Sequence, residues 1–115
     1  MPTKHLFKAA FIVMLLCSAT GTFAQDQHAL PEDRGQQQAA YLMNNIHMTQ
    51  DQYTQARTIL TAHERSVDAA NSSSNKTALI KTADAKRDKD MKAVFNTTDY
   101  KTYQTMMTSM AAKQK

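Results

Sequence analysis

The chain has no tryptophan and a single cysteine, Cys17. One cysteine excludes an intrachain disulfide, so folding must rest on packing, on a partner chain, or on both. Only two glycines and two prolines occur. That excludes a glycine-rich phosphate loop and leaves few residues that break helices. No clustered Ser, His and Asp phrase points to a nucleophile, and the chain is not expected to be an enzyme. Long apolar runs are missing too. The run from Ala9 to Ala19 has 11 residues, against the roughly 20 that a membrane-spanning helix needs.

That run has its own meaning. Lys4 and Lys8 precede it, and Thr22 and Ala24 follow at the small positions where a signal peptidase cuts. A charged start, a short apolar middle and a small-residue exit predict a secretory signal peptide over residues 1–24, cut after Ala24. The product would be exported, with no stable membrane insertion. Leu16 before Cys17 excludes a lipid anchor. The leader carries two of the fourteen basic residues, leaving twelve against ten acidic ones, a net charge of +2. So weak a charge gives no argument for nucleic acid. With 91 residues left and few large apolar ones, the core must be thin.

Residues 25–31, QDQHALP, are polar and expected to be a flexible N-terminus. Beyond them one helical domain is predicted over residues 32–112. Ala39, Leu42, Met43 and Ile46 fall at i, i+3, i+4 and i+7, one stripe of a helix. Tyr53, Ala56, Leu60, His63, Val67 and Ala70 alternate steps of 3 and 4, the seam of a helix packed on another. The polar stretch NSSSNKT, residues 71–77, breaks the pattern. Leu79, Ile80, Ala83, Met91, Val94 and Phe95 follow, then Tyr100, Tyr103, Met107 and Met110. No stretch sustains period-2 alternation. The fold class is therefore all-α: four short helices near 32–47, 50–70, 75–95 and 97–112, with adjacent helices expected to run antiparallel.

One short phrase is written twice. Residues 48–53 read MTQDQY and residues 95–100 read FNTTDY. Thr49 and Gln52 have the spacing of a capping box, with Met48 and Tyr53 placed as its hydrophobic staple. Asn96 is a strong N-cap residue, Phe95 and Tyr100 are the matching staple, and Asp99 complements the helix dipole. The phrases thus predict where the second and fourth helices begin.

Met48-Thr49-x-x-Gln52, and more loosely Phe95-Asn96-x-x-Asp99, resemble the motif of the LTxxQ, or Spy/CpxP-like, family of bacterial periplasmic proteins. The stretch from Arg87 to Met107, a charged helix running into the second motif and then Tyr-x-x-Tyr, is similar to that family's ending. The resemblance covers roughly residues 34–110. It implies a long helical hairpin-like subunit that pairs into a cradle-shaped homodimer. It also implies ATP-independent chaperoning of unfolded proteins or restraint of a membrane sensor kinase; a related branch senses heavy metals.

The remaining candidates are surfaces. Lys81, Lys86, Arg87, Lys89 and Lys92 form a basic helix interleaved with acids, with Lys86–Asp90 and Asp88–Lys92 as i, i+4 pairs. It reads either as a solvated face or as a surface that attracts flexible clients electrostatically. Tyr103, Met106, Met107 and Met110 read as core filler, as dimer packing, or as an adaptable contact for clients. His28, His47 and His63 are spaced by 19 and 16 residues rather than i, i+4, so neither a metal site nor a cofactor is expected. Glu64 follows His63, but neighbours on a helix point about 100° apart and are not expected to pair.

Overall fold

The computed structural model describes residues 29–113, and the predicted leader and most of the N-terminal stretch, His28 included, lie outside them. The described residues are all-helical, with no strand. Four helices follow in order: α1 (Pro31–Leu42), α2 (Gln50–Asn71), α3 (Lys76–Val94) and α4 (Thr97–Lys113). No helix among the described residues is long and apolar enough to cross a membrane.

α1 begins with Pro31 in its first turn, followed by Glu32 and Asp33, which suit the positive end of the helix dipole. It stops at Leu42, short of the predicted 47. Asn44 and Asn45 donate to Tyr41 and Leu42, three residues back, at 3.1 and 3.2 Å. That tightens the end of the helix into a turn. Ile46 still falls inward and is buried, so the apolar stripe is real although the helix under its last member is not. His47 is exposed beyond this turn and is not the helix-end residue that the pattern suggested.

The two written phrases start α2 and α4 as expected. Thr49 Oγ1 accepts from the Gln52 N–H at 3.1 Å, and Gln52 Oε1 accepts from the Thr49 N–H at 3.0 Å, a closed capping box. Asn96 Oδ1 accepts from the Asp99 N–H at 2.8 Å. Gln52 does more than cap. Its Nε2 donates to the Val94 carbonyl at 3.1 Å, tying the start of α2 to the end of α3. The two phrases therefore meet at one end of the molecule.

Pairings along the chain fix the topology. Arg34 and Gly35 face Glu64 and Thr61, while Glu32 reaches Arg65, so α1 runs antiparallel to α2. His63 meets Asp84, and Gln52 meets Val94, so α3 is antiparallel to α2 as well. α4 leaves the end of α3 and reaches α1, where the Lys113 ammonium lies 6.0 Å from the centre of the Tyr41 ring. Near the turns Leu42, Ile46, Met48, Tyr53, Leu60, Met91, Phe95, Tyr103 and Met106 form one apolar core. Tyr103 sits between the two aromatic residues of the second phrase, 6.2 Å from Phe95 and 5.7 Å from Tyr100, ring to ring.

Gly35 explains how a polar α1 comes so close to α2. A Cβ there would stand 2.8 Å from the Thr61 nitrogen and 2.9 Å from its Cα. Glycine weakens a helix by about 1 kcal/mol relative to alanine, but here only glycine leaves room for the backbone of α2.

Candidate functional site

Two features separate from the apolar core: a buried polar layer and the outer face of α3. The layer starts on α1 with Arg34, whose side chain is 4% exposed. Its Nε donates to Glu64 Oε1 at 2.7 Å and its Nη2 to Asp68 Oδ1 at 2.6 Å. Its Nη1 holds the Ala29 carbonyl. The hydrogen bond to Asp68 leads in keeping the guanidinium charged. Burial alone would push the Glu64 carboxyl up. Hydrogen bonds from His63, Arg34 and Gln38 outweigh that and bring it from 4.5 to about 2. Glu64 is thus a buried anion held from three sides.

His63 continues the layer from α2 to α3. Its Nδ1 lies 3.1 Å from Glu64 Oε2, and its Nε2 lies 2.6 Å from Asp84 Oδ1. The expectation that His63 and Glu64 do not pair is therefore corrected. Both side chains are 8% exposed, because Arg34 draws one inward and Asp84 the other, and a long glutamate spans the remaining gap. Arg87 on α3 adds its Nη1, 3.4 Å from His63 Nε2, while its Nε donates to Asp88 Oδ1 at 3.0 Å. Tyr103 on α4 closes the chain by donating its hydroxyl to the same Asp88 oxygen at 2.8 Å. Burial pushes the Tyr103 phenol well above its ordinary value, so it remains a donor. All four helices contribute to one network.

Several expected surface residues belong to this interior. The Arg87 side chain is only 14% exposed and committed to the layer, not free on the basic face. Asp88 turns to Arg87 and Tyr103, and the expected Asp88–Lys92 pair does not form. Tyr103, Met106 and Met110 are buried in the subunit, whereas Met107 is half-buried against the core. The caps keep their predicted places. Met48, Tyr53 and Phe95 are buried, and Tyr100 is half-buried.

The outer face of α3 retains the rest. Lys81, Lys86, Lys89 and Lys92 are all exposed. Lys86 pairs with Asp90 at 2.7 Å. Lys81, Lys89 and Lys92 have no ion pair among the described residues. Exposed Ala85 lies between them, exposed Ala78 and Ala93 flank them, and Leu79, 44% exposed, stands at the start of the helix. The described residues include no group of three or more His, Cys, Asp or Glu side chains placed to hold a metal ion.

The sequence reading missed Arg34, Glu64, Asp68 and Asp84 as a unit. Gly35 inside a helical pattern was the available signal, since such a glycine marks a close approach. His63 in the seam was a second. No family model matches the chain, nor does any curated protein or solved structure.

Proposed function

We propose that this chain is an exported, periplasmic binding protein that holds partly unfolded clients without nucleotide, as a homodimer. The observation that carries the reading is the outer face of α3. Three lysines stand there without an ion pair among the described residues, with exposed alanines beside them and an exposed leucine at one end. Such a face attracts flexible acidic segments weakly, without a fixed register. It uses no cofactor and makes no enzyme. The paired capping phrases and their resemblance to the Spy/CpxP-like family support the same reading.

The test is aggregation of a denatured client protein with the chain added at stoichiometric amounts, without ATP, at low and high salt. Suppression that fades as salt rises is expected, because exposed charges are screened over about 8–10 Å at physiological ionic strength. Suppression that survives salt moves the contact to apolar residues such as Leu79. No suppression overturns client holding and leaves a dedicated partner, such as a membrane sensor, as the reading to pursue. Melting that shifts with protein concentration is the matching test of the dimer.

A further inference from the structure

His63 stands between two carboxylates, and a neutral ring does not meet that requirement. Nδ1 faces Glu64 Oε2 at 3.1 Å while Nε2 faces Asp84 Oδ1 at 2.6 Å. A neutral imidazole carries one N–H, so one contact would set a lone pair against a carboxylate oxygen. The imidazolium has two N–H groups and satisfies both. Nε2 also has a second neighbour, Arg87 Nη1 at 3.4 Å, and a guanidinium only donates. A ring without its Nε2 proton is a partner for Arg87 and no longer one for Asp84.

We propose that His63 is a proton-operated coupling between α2 and α3, bridging Glu64 to Asp84 as the imidazolium and turning to Arg87 as the neutral Nδ1–H ring. The neighbours decide which contact gives way. On α2, Glu64 is fixed by Arg34 of α1 at 2.7 Å and keeps the Nδ1 proton engaged. On α3, the Asp84 side chain is 45% exposed and can turn to water. Arg87 Nη1 is 3.7 Å from Asp84 and becomes the donor to the bare Nε2. Asp88 cannot replace Asp84, because Arg87 and Tyr103 of α4 already hold it. The proton passes to solvent, the close α2–α3 contact to Asp84 is exchanged for the longer one to Arg87, and the apolar core is untouched. Asp84 and Arg87 share α3 with the lysine face, so trading the 2.6 Å charge-assisted contact for one at 3.4 Å loosens the helix that carries that face. The coupling is independent of what the face binds.

Long-range proton–nitrogen spectra of the labelled chain over about pH 5 to 9, the range in which histidine charge changes, read both ring nitrogens directly. Two protonated nitrogens are expected at the acid end. Above the midpoint Nδ1–H with a bare Nε2 is expected, the opposite of the tautomer that free histidine favours. Amide exchange around Asp84, corrected for its intrinsic pH dependence, should rise about two- to tenfold across the same midpoint, the effect of trading a charge-assisted hydrogen bond for the longer contact to Arg87. Asp84→Ala should exchange at the faster rate on both sides. An Nε2–H ring above the midpoint, or unchanged corrected exchange in the unaltered chain, overturns the proposal, and neither reading needs a variant that folds.

Discussion

The apolar core near the turns and the centre of the polar layer, Arg34, His63 and Glu64, are buried to a similar degree, yet they hold the helices in different ways. Leu42, Leu60 and Met91 are fully buried and gain stability from area alone, without a required direction. Arg34 and Glu64 are nearly as buried, but each depends on the direction as well as the distance of the other. The core gives affinity between helices, and the layer gives register. Tyr103 takes part in both, with its ring among Phe95 and Tyr100 and its hydroxyl on Asp88.

The sharpest way to break this comparison is to remove one charge. Glu64→Ala should cost about 3–5 kcal/mol, because it removes the buried carboxylate shared by Arg34 and His63 and leaves Arg34 only the half-exposed Asp68. Replacing Arg34, His63 and Glu64 together by apolar residues of similar volume should cost far less, since the carboxylates that lose a partner, Asp68 and Asp84, are half-exposed and can turn to water. Urea midpoints of the two variants decide the matter. If the triple replacement is as damaging as the single one, the layer contributes more than its own pairing.

On the apolar side, Leu60→Ala should cost about 2–5 kcal/mol through lost burial and a residual cavity, whereas Leu60→Met should stay under about 1.5 kcal/mol. Denaturant titration checks both. A large loss in the methionine variant would mean that this core is as directional as the polar layer.

Acid titration separates the regions without mutation. Glu64 is held at about 2 in the folded chain against an ordinary 4.5. A lowered carboxylate stabilises the fold above its unfolded value, and that contribution is lost as pH falls from about 4.5 toward 2. The loss should reach about 3 kcal/mol at the acid end. It should vanish in the triple apolar variant. Equal acid sensitivity in both proteins would place the effect elsewhere.

The two regions were also unequally legible in the sequence. Periodicity placed the seam of α2, the break at 71–77 and the starts of α2 and α4, because apolar spacing and caps are local properties. The end of α1 was misplaced because Ile46 fits the helical stripe from within a turn. The polar layer stayed hidden for a different reason. Charged residues are read as solvent-facing by default. Arg34 and Glu64 lie 30 positions apart, so only the antiparallel docking of α1 on α2 brings them together. Arg87 illustrates the cost: it was grouped with exposed lysines because its partners, Asp88 apart, lie on other helices or one turn away.

The smallest effect concerns the cap that joins the two written phrases, and it tests whether Gln52 is a cap, a bridge, or both. Thr49→Ala removes the hydroxyl that accepts from the Gln52 N–H and should cost about 0.5–2 kcal/mol. Gln52→Glu is more selective. A glutamate still accepts from the Thr49 N–H and adds a charge that the start of α2 favours. It cannot donate to the Val94 carbonyl, however, and it sets a carboxylate against that oxygen. The bridge reading therefore expects a net loss of about 0.5–1.5 kcal/mol, with faster amide exchange at the α3–α4 turn. A pure cap expects no loss or a slight gain. Glutamine would then be one of two equivalent choices at this position, rather than the one whose amide both accepts at the start of α2 and donates to the end of α3.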